Sequence, residues 1–457
     1  MLGCIAIATF VIVRKSAMQR HLSSIFNFRK EIRKIRKQKQ VIKPVKDISN
    51  MTLIGTTSGK KKIYTQDDMK HCFVCGTTGS GKTVVLSNYI KSAIEKDYPC
   101  LIVDGKGDIG ENSILDIIHK MNSQYGYKKK VYVIDMNNPQ NSYKYNPFQG
   151  SNPTVIKDML INMTEWSEEH YKLNTERYIQ RLIYLMDLYG APLTFENIIK
   201  CIPSDKFLLL SAKLLKLERI SKDEHIQNTE IARNSGKISE STVARFSTVY
   251  ESEIGQIFSN DGIDIYQALK EKAIILFVLN PLIYPELSPL MGRLVLIDSK
   301  KAVSKLFNSN HYRTFFIFDE INVYASPTFL DLVNKSRSAN VTCVLATQSL
   351  SDLDFAVNEA FKEQIIENCN NYIALRQNSS VNAENWAKIL GTKSTMEVTY
   401  QIQQKNLNTS ETGFGSARRV REFYYHPDDI KSLKTGQGIF LSRDAGIHSR
   451  INVNKPF

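Results

Sequence analysis

No stretch of this 457-residue sequence stays apolar over the roughly 20 residues that a membrane-spanning helix needs. The nearest approach is the opening run MLGCIAIATFVIV, residues 1–13, which stops at Arg14 and Lys15. No basic segment precedes it and no small-residue cleavage site follows it, which argues against a cleaved secretory signal. It is read instead as the remnant of a longer membrane region or a minimal inner-membrane anchor, with its basic flank on the cytoplasmic face. The seven cysteines do not make a metal site: only Cys72 and Cys75 are close together, and no second Cys or His pair follows at zinc-like spacing. They are expected as small buried apolar residues in a reduced, cytosolic body. No repeat recurs at a solenoid period and there is no long low-complexity segment, while 42% hydrophobic content excludes a disordered chain.

Charge is present but unevenly placed. The chain carries +14, yet residues 14–46 hold 12 basic residues against the single acid Glu31, so the remainder is close to neutral. Basic character therefore does not show that the folded body binds nucleic acid, because a polybasic segment beside a membrane gives the same total.

The most informative stretch is HCFVCGTTGSGKTVVLSNYI, residues 71–90, which contains GTTGSGKT at 76–83. Every fixed position of the phosphate-binding pattern GxxxxGK[ST] is filled, between a strand-like run (Phe73, Val74, Cys75) and a helix-compatible one. In such a loop Gly76, Thr77, Thr78, Gly79, Ser80 and Gly81 turn their backbone N–H groups onto anionic oxygens at a helix N-terminus. Lys82 would reach the β- and γ-phosphates of ATP, and the Thr83 hydroxyl would hold Mg²⁺.

Around this loop the pattern is α/β. TLIGTTSGKKKIYT (52–65) predicts a hairpin, and CLIVDGKGD (100–108) a buried strand ending in Asp104, Lys106 and Asp108. VYVID (131–135) predicts a further strand. From Pro153 to Gly262 apolar residues recur at helical spacing, as in Tyr178, Leu182, Leu185 and Met186, which predicts a helical insertion. Strand signals resume at AIILFVL (273–279), followed by a helix over 287–303.

RTFFIFDEINVY (313–324) runs four apolar residues into Asp319 and Glu320, so a buried strand delivers two carboxylates at its carboxyl end. Alternation along a strand would point them to opposite sides, with Asp319 suited to the Mg²⁺ shell and Glu320 to polarising the attacking water. VTCVLATQS (341–349) predicts a neighbouring strand whose tip, Gln348, would touch the γ-phosphate or its water. Arg337, in the polar stretch NKSRSAN, is a candidate arginine finger for a neighbouring subunit's nucleotide, with Arg293 and Arg376 as alternatives.

Together these residues resemble the type IV secretion coupling proteins, the TraD/TraG class of conjugative DNA-transfer ATPases. The resemblance spans roughly residues 50–445. It is carried by HCFVCGTTGSGKT, LIVDGKGD, YNPF (145–148), GIDIYQAL (262–269), FFIFDE, TQSLSDL (347–353), IALRQNSSVNAENWAKILG (373–391) and YHPDDIKSLKTGQGIFLS (425–442). It implies a RecA-like P-loop NTPase core with a central twisted, mostly parallel sheet in two parts, 51–152 and 263–457. An all-α domain (153–262) would be inserted between them, after a membrane segment (1–13) and a basic linker (14–50). It further implies a membrane-tethered ring, a hexamer, that couples ATP hydrolysis to moving DNA of any sequence, delivered by a relaxase, towards secretion-channel proteins. Arg337 occupies the family's finger position, whereas Gly105 stands where the family commonly has proline. Two other functions fit the motor: a nucleotide-regulated docking receptor for secreted proteins, and an FtsK-like translocase. The latter normally carries a C-terminal winged-helix DNA reader, for which the residues after the last predicted strand (438–442) leave no room.

Overall fold

The computed structural model describes residues 47–457 except 165, 167, 308–311 and 406–407. The apolar run and most of the basic linker lie outside the described residues. Among those described, no helix is long and apolar enough to cross a membrane.

The centre is an eleven-stranded sheet in the order β2-β1-β13-β12-β9-β3-β8-β7-β4-β6-β5. Its parallel half comprises β3 (Cys72–Cys75), β4 (Cys100–Asp104), β5 (Val131–Asp135), β6 (Ile274–Val278), β7 (Thr314–Asp319), β8 (Val341–Thr347) and β9 (Asn371–Ala374). These read as continuous apolar runs rather than alternating ones because helices cover both faces. Every residue of β3, β4, β6, β7 and β8 is buried. Phe315 packs edge-on against Tyr89, and Phe318 against Phe329, at centroid distances of 5.9 and 5.2 Å. Each such ring contributes about 1.5–3 kcal/mol by leaving water.

Four antiparallel strands extend the sheet beyond β9. The predicted hairpin is β1 (Met51–Thr56) with β2 (Lys62–Gln66). β12 (Gln437–Ser442) pairs with β9, and β13 (Ile447–Val453), which sequence reading did not anticipate, links β12 to β1.

Between β5 and β6 the chain is helical: Pro153–Asn162, Glu169–Tyr189, Phe195–Cys201, Ser204–Lys216, Lys222–Asn234 and Gly236–Tyr250. Local chemistry sets the boundaries. Asn152 caps the first helix ahead of Pro153, Thr194 caps the third, and Ser221 with Glu224 forms a reciprocal capping box. The block leaves and re-enters the core at one place. Tyr145 N–H donates to Ile257 O at 2.8 Å, and Ile263 N–H donates to Lys144 O at 2.8 Å. The segments YNPF and GIDIYQAL, remote in sequence, are thus the two sides of one seam. Beneath it Tyr145 donates to Asp298 at 2.8 Å, and Lys301 pairs with Asp298 and Asp264 at 2.8 and 3.3 Å.

Residues Ser379–Lys431 fall in a compact unit distinct from the sheet, a division that the range 263–457 did not anticipate. This segment contains a helix (Ser380–Leu390) whose first turn is capped by Ser379. A two-stranded ribbon follows, β10 (Thr392–Lys405) against β11 (Asn408–Phe423), and then the short helix Pro427–Lys431.

Candidate nucleotide site

The loop 76–81 leaves β3 at the carboxyl edge of the parallel strands and feeds the helix Lys82–Glu95. Gly79 and Gly81 take φ of 73° and 114°, where a side chain is disfavoured, the kind of left-handed turn that lets backbone N–H groups converge on an anion. The loop is braced from within, Ser80 Oγ donating to Thr77 O at 2.6 Å, and from outside, Gly436 N–H donating to Ser80 O at 3.0 Å and Thr435 Oγ1 to Gly79 O at 3.2 Å.

Strand order decides what faces the loop. β8 lies between β3 and β7, so the tip of β8 stands between the phosphate loop and the two carboxylates. Lys82 Nζ crosses this gap, lying 2.9 Å from Gly76 O and 3.2 Å from Glu320 Oε1. Gln348 Nε2 donates to the same Glu320 oxygen at 3.2 Å, while its own Oε1 accepts from Thr78 Oγ1 at 3.3 Å. Lys82, Glu320, Gln348 and the loop therefore form one closed hydrogen-bonded circuit.

Strand alternation does not carry from Asp319 to Glu320. β7 ends at Asp319, and Glu320 turns into the left-handed region at φ 47°. A non-glycine residue held there costs of order 1–3 kcal/mol, a strain characteristic of functional sites. Packing behind it is tight. Gly105 donates its N–H to Asp319 O at 3.2 Å, and a Cβ on Gly105 would stand 2.8 Å from that oxygen. A proline at 105 would forfeit this bond, which gives the glycine a local reason.

Charge is poorly balanced here. Burial first, then the neighbouring Glu320 and Asp104 charges, push the Asp319 carboxyl well above the usual carboxylate range. Burial likewise raises Asp104, which pairs with Asp319 in the β4–β7 register. Glu320 Oε2 is buried and makes no hydrogen bond among the described residues. Among the described residues no group of three or more His, Cys, Asp or Glu side chains is gathered to hold a metal ion, so a divalent cation here would rely on Asp319, the half-buried Thr83 and oxygens of the nucleotide itself.

Arg337 is not brought to this site. It sits in a short 3-10 turn ahead of β8, at the amino edge of the sheet, and is exposed. Arg293 lies on the helix Leu287–Leu306 and lines a cavity with Ser326 and Pro327. Arg376, by contrast, lies two residues past the end of β9, with its main chain beside the phosphate loop. Its neighbour Gln377 is buried, with its Nε2 3.5 Å from Gln348 O. Gln377 went unrecognised in sequence reading; its only signal was its place just past the apolar run NYIAL.

A glycine-rich loop and a carboxylate pair at the carboxyl edge of a mostly parallel sheet define a P-loop NTPase of RecA-like architecture. Residues 57–113 match the family described as type IV secretion-system coupling protein DNA-binding domain, and residues 313–435 match the TraM recognition site of TraD and TraG. Both matches, each over part of the chain, are to models of the type IV coupling proteins, which this chain resembles. Its fold is that of the bacterial conjugative coupling protein TrwBdeltaN70, with TM-score 0.63 and 15% identity over 93% of this chain and 91% of that one. Plasmid coupling protein TrwB in complex with ADP and Mg²⁺ gives TM-score 0.61 at 15% identity, covering 93% and 92%. VirB4 of Thermoanaerobacter pseudethanolicus gives 0.54 at 12% identity, covering 90% and 98%. An uncharacterized protein of Mycoplasma pneumoniae is 28% identical over 134 residues, 29% of this chain and 85% of that protein.

Proposed function

We propose that this protein is the coupling ATPase of a type IV secretion system, which hydrolyses ATP to move DNA, delivered by a relaxase, towards the secretion channel at the inner membrane. The observation that carries the reading is the circuit joining Lys82, Glu320 and Gln348 across β8. In it the phosphate-binding lysine, the base and the reporting amide already share one carboxylate oxygen.

When bound, Mg²⁺ supplies positive charge to the phosphate oxygens, held by Thr83 and Asp319. ATP entering the loop draws Lys82 away from Gly76 O and Glu320 onto the phosphates, because a phosphate oxygen is a stronger partner than a carbonyl. Glu320, released from the lysine, then accepts a hydrogen bond from the attacking water and orients it in line with the γ-phosphate. Gln348 touches both the loop and Glu320, so it reports loop occupancy to the base. Arg337, remote from its own chain's site, acts as a finger on a neighbouring subunit in a ring, which we take to be a hexamer.

The test is ATP hydrolysis by the full chain with and without single- and double-stranded DNA. DNA stimulation that Lys82→Ala and Glu320→Gln abolish is expected. Equal hydrolysis with and without DNA, at protein and salt concentrations that permit ring assembly, would overturn the coupling. A docking role is favoured by the helical block 153–257, which holds none of the site residues. Deleting 157–260 separates the two activities: loss of partner binding with intact ATPase assigns reception to that block.

A further inference from the structure

The parallel pairing of β3 with β9 does not stop where the strands end. Cys75 stands in register with Ala374, and beyond them Leu375 N–H donates to Cys75 O at 2.8 Å and Thr77 N–H to Arg376 O at 3.0 Å. Thr77 Oγ1 donates to the same carbonyl at 3.2 Å. The ladder therefore continues into the phosphate loop, and Arg376 is fixed beside it through its own main chain. Thr77's N–H, committed to this bond, is unavailable to a phosphate. The side chain of Arg376 ends in a guanidinium.

That guanidinium is incompletely matched. The side chain is half-buried, its Nε is fully shielded from water, and Nε makes no hydrogen bond among the described residues. No carboxylate pairs with Arg376 among them either. Lysines elsewhere in the core are paired, Lys301 with Asp298 and Asp264, Lys129 with Asp97, Lys157 with Glu176. A shielded cation without an anion is costly, and the cost is relieved when an anion of suitable geometry arrives. Arginine, planar and permanently charged, suits a phosphate better than any other side chain.

We infer that Arg376 binds the polyphosphate of the nucleotide held by its own chain. This rests on the phosphate-site reading above. It differs from a finger role, in which the guanidinium would serve a neighbour's nucleotide and would be missed only in an assembled ring.

Equilibrium titration of the full chain with Mg²⁺ and a fluorescent ATP analogue tests the inference, using R376Q, R376K and K82A alongside the parent. R376Q is expected to weaken binding about tenfold or more at every protein concentration, with R376K intermediate because a point charge replaces a fork. The matching fluorescent adenosine, which has no phosphate, should bind parent and variant alike. If R376Q melts early, the comparison of R376K with the parent carries the same decision. Affinity unchanged to within about twofold in R376Q and R376K, while K82A loses binding, overturns the inference and leaves the phosphate site standing. Weakening seen only at concentrations where copies associate overturns it in favour of a contact in trans. Retention of parental affinity by K82A removes the phosphate site itself, and this inference with it.

Discussion

The two ends of β3 handle buried polarity in opposite ways. At its start His71, at φ 35°, is buried with both ring nitrogens satisfied: Nε2–H donates to Val333 O at 2.8 Å and Nδ1 accepts from Cys343 N–H at 3.0 Å. This arrangement fixes a neutral imidazole and pins β3 to β8 and the helix Pro327–Ser336. At the carboxyl edge, where the other end lies, Glu320 Oε2 and Arg376 Nε are buried without a hydrogen bond among the described residues, and burial raises the Asp319 and Asp104 carboxyls. Equal burial thus has different meanings. The satisfied end serves stability, and the unsatisfied end waits for a ligand that carries both a cation and phosphates.

The sharpest way to break this contrast is at the ligand end. Lys82→Ala and Glu320→Gln should each lower ATP turnover by about 10²-fold or more while leaving the melting temperature within a few degrees of the parent. Glu320→Gln should still retain nucleotide, seen as bound ATP after rapid desalting. A large loss of stability in either variant would mean that these residues are structural after all.

The opposite end should answer to acid. Burial, with Arg337's charge adding to it, holds His71 down at about 4, against the Val333 bond that favours its proton. An imidazole depressed in the folded state contributes stability that is full above the unfolded value near 6.5. It is lost as pH falls towards 4, amounting to about 3 kcal/mol over that window. Urea midpoints at pH 7 and pH 4.5 should therefore diverge in the parent, and the divergence should shrink by this amount in His71→Gln. An unchanged pH dependence would show that His71 is not the titrating clamp.

A smaller effect is expected at the seam. Tyr145→Phe removes the hydrogen bond to Asp298 and should cost about 1–2 kcal/mol in denaturant unfolding. ATP turnover should stay at the parental level, because neither residue touches the nucleotide site. A change in turnover without a change in stability would make the seam part of the motor cycle.

Much of the site was legible because its pieces are contiguous. GTTGSGKT carries its own glycine spacing, and FFIFDE writes a buried strand and its terminal carboxylates in six consecutive residues. The hairpin at 52–65 followed from its Ser-Gly turn, strands β4 to β8 from apolar runs, and the helical character expected over 153–262 from the spacing of its apolar residues. The ribbon 392–423 was missed because its sequence is mostly polar, with no continuous apolar run, and β13 because IHSRINV is short and mixed. Strand alternation, expected to separate Asp319 from Glu320, does not run through Glu320, because β7 ends at Asp319 and Glu320 turns into the left-handed region.

By itself the sequence determined where a phosphate-binding pattern stands and which residues carry negative charge, because those properties reside in residue type and local spacing. Only the tertiary structure decided that β8 stands between β3 and β7, that Gln348 bridges loop and base, that Arg376 lies beside the loop, and that Arg337 lies at the far edge. Strand order arises from packing among segments hundreds of residues apart. No local pattern encodes it, and in an open parallel sheet that order sets which strand tips converge on one ligand.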